Sequence, residues 1–227
     1  MEFKTVLDNI PFDPDIAKIM ETLHIKQGTR HAEELAEMVD SARSVARPKG
    51  LYKLAFIESS GDDYIVADGI RFSSRVLRVN IAESQRVFAY IATCGRELEE
   101  WSAGISDMLQ KFYADAIKES ALRIAIKAVT DHVEARYAPG PTARMSPGSL
   151  EDWPIYEQKP LFNLLGDPAA DIGVELLESY LMTPTKTISR LMFPTEQSFE
   201  NCQLCPREKC PSRRAPYDEG LYDRKYR

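Results

Sequence analysis

The chain has 227 residues, enough to bury a sizeable core as one large domain or two small ones, and its 44% hydrophobic and 28% charged content is that of a folded globular protein. A formal net charge of -6 argues against a broad electrostatic grip on nucleic acid, and no apolar run approaches the roughly 20 residues that span a bilayer. The start, Met1-Glu2-Phe3-Lys4, lacks the basic-then-apolar pattern of a signal peptide, so a cytoplasmic setting with reduced cysteines is expected.

Pro11 to Leu23 reads as a short helix, with Asp13 as N-cap, Pro14 at the first helical position, and Ile16, Ile19, Met20 and Leu23 on one face. Gly28 breaks that pattern. Thr29 then opens a longer amphipathic helix carrying Leu35, Val39 and Ala42 on its inner stripe and ending before Pro48. From Leu51 the period changes. Leu51 to Ser59, Tyr64 to Ala67, Val76 to Val79 and Arg86 to Thr93 read as four strands joined by short turns, hence a mostly antiparallel sheet. Glu97 to Leu109 reads as a helix and Tyr113 to Tyr137 as a long one, its stripe rich in alanine and so suited to close packing on a sheet. Pro139-Gly140-Pro141 ends it. Ile155 to Leu165 is again helical, Ile172 to Leu181 is open between strand and short helix, and Lys186 to Phe193 reads as a strand. The order of elements predicts an α+β fold: a mostly antiparallel twisted sheet packed on long helices, with a helical segment at 1–50, a core at 51–195 and a cysteine-rich tail at 196–227.

Two stretches carry chemistry. In Arg144-Met145-Ser146-Pro147-Gly148-Ser149 a guanidinium stands beside a Pro-Gly turn. An arginine so placed can hold a carboxylate through two parallel hydrogen bonds, while exposed main-chain groups hold a flat heterocycle. A surface ion pair is the plainer reading. The second stretch is Cys202-Gln203-Leu204-Cys205, followed by Cys210. Three thiols among charged, loop-forming neighbours point to a metal, with Cys94 as the available fourth ligand; zinc and an iron–sulfur cluster both remain open. The basic residues Arg213, Arg214, Arg224, Lys225 and Arg227 suit either a solvated tail or docking on an acidic partner.

Arg144-x-x-x-Gly148, with the helix after it and the strand from Thr187 to Phe193, resembles the activation domain of cobalamin-dependent methionine synthase. The similarity runs from about Leu51 to Phe193, and the family motif Arg-x-x-x-Gly-Tyr is met except at Ser149, which replaces the tyrosine. The resemblance implies binding of S-adenosylmethionine, whose methyl group rescues oxidised cobalamin held by a partner: methionine synthase or another corrinoid protein, with a reductant protein as a further partner. It implies that Arg144 holds the ligand's carboxylate, that Ser146, Pro147 and Gly148 give main-chain contacts, and that Trp153 or Tyr156 replaces the missing ring. Asp131 and Glu134 are the candidates for the ligand's amine. No catalytic acid or base is expected, because the sulfonium is itself a ready leaving group. The tail lies outside the family pattern and suggests a free-standing activator. There a cluster at Cys94, Cys202, Cys205 and Cys210 would supply an electron, whereas zinc would only staple the chain.

Overall fold

The computed structural model describes residues 3–196, 199–210 and 213–227. The elements run β1 (Lys4–Leu7), α1 (Ile16–Thr22), α2 (Arg30–Val45), β2 (Lys49–Ser60), β3 (Tyr64–Ala67), β4 (Ile70–Ser73), α3 (Arg75–Asn80), β5 (Arg86–Thr93), α4 (Arg96–Ala103) and α5 (Met108–Tyr137). There follow β6 (Thr142–Met145), α6 (Gln158–Leu165), α7 (Pro168–Ile172), β7 (Glu175–Leu176), β8 (Met182–Thr183), β9 (Thr187–Pro194) and α8 (Leu221–Lys225). The result is the expected α+β fold.

Seven strands form one sheet in the order β4-β3-β2-β5-β9-β6, with β1 added beside the first half of β2, and its pairings are antiparallel. The thirty-residue α5, about 45 Å long at 1.5 Å per residue, lies on one face. Its buried stripe includes Ala114, Ile117, Ala121, Ala125, Val129 and Val133, and the small side chains among them let the sheet come near. Opposite Val129 the strand carries Gly50, and a Cβ there would lie 2.3 Å from Val129 Cγ2. Gly50→Ala is therefore expected to lower stability by about 1–3 kcal/mol through overpacking, read as a lower urea midpoint at unchanged slope. The other face is covered by α3, α6 and α7, with Trp153, Leu161, Phe162 and Leu165 in the main cluster.

Several segments depart from the sequence reading, each for a tertiary reason. Val76 to Val79 is helix α3 rather than a strand. Ser74 caps it by accepting from Leu77 N–H at 2.9 Å, and the distant Asp152 carboxylate accepts from Val76 N–H at 3.0 Å. That long-range cap outweighs the local β-preference of valine. The first helix starts after Asp15, which accepts from Lys18 N–H at 3.1 Å, and not after Asp13. The helix expected from Glu97 to Leu109 stops at Ala103, and Asp107 caps α5 from Met108 onward by accepting from Gln110 N–H at 2.9 Å. The open stretch from Ile172 becomes the end of α7 and a small β7–β8 hairpin. The segment 1–50 also contains a strand, β1, and α1 and α2 pack with α4 and α5 around Leu35, Val39, Leu98 and Ile117.

Candidate functional site

Arg144 lies on a strand, not in the turn. β6 pairs with β9, so that Ala143 faces Phe193, Arg144 faces Met192 and Met145 faces Leu191. Directly opposed residues share a face of the sheet. Ala143 and Met145 enter the cluster under α3 and α6, whereas Met192 enters the one under α5 with Tyr90, Val129 and Val133. Arg144 therefore emerges on the α5 face at the open edge of the sheet. Its Nε is buried and, among the described residues, is the buried side-chain nitrogen without a hydrogen-bond partner; no described carboxylate pairs with the guanidinium. A buried donor left alone costs about 1–3 kcal/mol, so the site favours an acceptor.

The turn beyond it is built tightly. Gly148 has φ +80°, and a Cβ there would meet Ile155 Cδ1 at 2.7 Å. Gly148 N–H donates to Trp153 O at 2.7 Å, Ser149 N–H to Ser146 O at 3.2 Å and Ser149 Oγ to the same carbonyl at 2.6 Å. Pro147 has no N–H, so this turn has little left to donate; what it offers a ligand is carbonyl oxygen.

Gly148 and Ser149 border a cavity of about 780 Å³, within the range of small-molecule sites. Its other wall comes from the tail: Leu204, Cys205, Tyr217, Asp218 and Tyr222. Glu151 and Asp152 contribute on the core side and Glu219 on the tail side. Four carboxylates and two tyrosines suit a flat ligand bearing positive charge. The tail is held down at its far end. Tyr226 is buried against Asn80, its OH 3.0 Å from Nδ2, and Arg75 Nε donates to Tyr226 O at 3.0 Å. Burial pushes the Tyr226 hydroxyl up to about 12. Nothing local in the sequence links the cavity-lining Tyr217 and Tyr222 to the Arg144 stretch.

Trp153 is not a ligand wall. It is wholly buried edge-on to Phe72, 6.5 Å between centroids, with its indole N–H 3.4 Å from Glu157 Oε2. Tyr156 is exposed against Tyr180. Asp131 is paired with Lys127 at 2.5 Å on the exposed side of α5, and Glu134 is exposed on the same helix; neither lines the cavity.

The cysteines separate into two places. Cys94 is buried among Ile19, Leu35, Leu98 and Ile117, and burial pushes its thiol up to about 12. Cys202, Cys205 and Cys210 are half-buried free thiols in the tail. Among the described residues, no group of three or more His, Cys, Asp or Glu side chains stands together as a metal site. A guanidinium organises the loop. Arg213 donates from Nη1 to Cys202 O at 3.0 Å and Ala215 O at 3.1 Å, and from Nη2 to Cys205 O at 3.0 Å and to Arg207 O. Four other basic residues of the tail are also engaged: Arg214 with Glu200 at 2.9 Å, Arg224 with Asp218 at 2.6 Å, Arg227 with Asp223 at 3.1 Å and Lys225 with Asn80 at 2.8 Å. Among the described residues, no helix is long and apolar enough to cross a membrane.

No family model matches the chain, and no curated protein matches it. Its fold is nonetheless a known one, an α+β fold built on a mostly antiparallel sheet. In particular, it is similar to a crystal structure of the MetH reactivation domain bound to AdoHcy, with a TM-score of 0.65 over 87% of this chain and 81% of that one, at 15% identity. At that identity the likeness establishes the fold.

Proposed function

We propose that the chain binds S-adenosylmethionine and serves the reductive remethylation of cobalamin on a corrinoid partner protein. The observation that carries this reading is the fold shared with a domain that holds AdoHcy. Arg144, which matches the family's motif arginine and whose buried Nε has no hydrogen-bond partner among the described residues, supports it. In this reading Arg144, on the α5 face and not itself in the cavity lining, takes the ligand's carboxylate at the sheet edge, and the ligand passes round that edge by Ser146 to Ser149 to the cavity on the α3 side. The carbonyls of Pro147 and Gly148 accept from the ligand's amino groups. Tyr217 and Tyr222 supply the aromatic surface that Ser149, in place of the family's tyrosine, does not.

Bound S-adenosylmethionine supplies the methyl group on an activated sulfonium. The protein's own residues position the donor and keep water away, which requires no acid or base. The acidic lining of the cavity favours a sulfonium or ammonium over a neutral analogue by simple charge complementarity. Calorimetry with S-adenosylmethionine is expected to give a saturable 1:1 isotherm; a flat titration removes the reading. Incubating the chain with a cobalt(II) corrinoid protein, a reductant and S-adenosylmethionine is expected to form methylcobalamin faster than the mixture lacking the chain.

A further inference from the structure

The tail thiols are placed in a manner that methyl-donor binding does not use. Cys202 lies in a short turn of 3-10 helix, Asn201–Leu204, and Cys205 closes it by donating its N–H to Cys202 O at 3.3 Å. A turn closed between residues three apart brings their Cα atoms within about 7 Å, the span a disulfide can bridge. Cys202 Sγ accepts the Arg214 N–H at 3.4 Å, and the Arg214 and Arg213 guanidinium groups lie within the same loop. Arg213 clasps the carbonyls of both Cys202 and Cys205, so the two residues are fixed relative to each other. Cys202 is half-buried and Cys205 borders the cavity, so a small oxidant has access to the pair.

We propose that Cys202 and Cys205 form a reversible disulfide, with Cys202 as the attacking thiol and Cys205 as its resolving partner. With hydrogen peroxide as oxidant, the Cys202 thiolate attacks one peroxide oxygen, the O–O bond breaks, and hydroxide leaves and takes up a proton. The resulting sulfenic acid is attacked by the Cys205 sulfur, the S–O bond breaks and a second water leaves. Two thiols and one peroxide thus yield one disulfide and two waters. The bond lies in the cavity wall, and thiol reductants reverse it.

The test uses the full chain, reduced, freed of reductant and treated with hydrogen peroxide. Cleavage after Arg207 leaves Cys202 and Cys205 in one peptide and Cys210 in another. The expected product is that first peptide lighter by two hydrogen atoms, with Cys210 still free. In Cys205→Ser, dimedone is expected to trap a sulfenic acid on Cys202, and Cys210→Ser is expected to oxidise as the parent does. Iodoacetamide is expected to label Cys202 at least about tenfold faster than Cys94. A link through Cys210, absence of any link, or unselective labelling overturns the proposal. So does a chain purified with stoichiometric zinc or iron whose three tail thiols react only after chelation. Circular dichroism of each variant separates loss of chemistry from loss of fold.

Discussion

Replacing Arg144 with alanine is expected to weaken S-adenosylmethionine binding about 100-fold, roughly 2.7 kcal/mol, while leaving the unfolding midpoint almost unchanged. The two halves of that expectation rest on one fact: among the described residues the buried Nε has no hydrogen-bond partner and no carboxylate balances the charge. An arginine with a structural role would show the opposite outcome, a stability loss with little effect on ligand. Arg144→Lys is expected to recover only part of the affinity, because an ammonium offers a point charge in place of a planar fork. Calorimetry and urea denaturation on the same three proteins decide it. Equal binding by parent and Arg144→Ala would return this side chain to the class of surface arginines.

The second large effect concerns Trp153. Trp153→Ala is expected to lower stability by about 3–5 kcal/mol, the usual range for deleting a fully buried large aromatic side chain. The side chain packs against Phe72 and anchors the return of the 148–155 turn, and its N–H points at Glu157, which also accepts from Ser73 N–H at 3.0 Å. Trp153→Phe keeps most of the volume but removes that N–H, and is expected to lose less than the alanine variant. If Trp153 were instead a ligand wall, the phenylalanine variant would fold normally and lose ligand affinity; a urea midpoint well below the parent's argues for the core role.

Much of the architecture was legible along the chain. Periodicity and β-favouring composition mark the strands read from Leu51, Tyr64, Arg86 and Lys186, which the structure places at Lys49–Ser60, Tyr64–Ala67, Arg86–Thr93 and Thr187–Pro194, and the long alanine-striped helix. β6 was hidden by the Pro-Gly sequence that follows it, whose turn signal masks four extended residues paired only through β9. Helix α3 reads locally as a strand because its valines favour extended backbone, and the carboxylate that supports the Ser74 cap, Asp152, lies 76 residues from Val76. The resemblance at Arg144 to Gly148 was readable as a motif, yet the faces on which its members lie were not.

Sequence by itself determined the fold class, the arginine that stands apart and the spacing of the tail thiols, since composition, period and short motifs are local properties. Only the tertiary structure decided that Trp153 is core, that Cys94 lies away from the tail cysteines, and that Arg213 draws the cysteine loop together. It also decided that Tyr217 and Tyr222 complete a cavity with Gly148 and Ser149. These arrangements depend on contacts between residues far apart in the chain, fixed by which faces of the sheet and helices are buried together, and no local pattern encodes that choice.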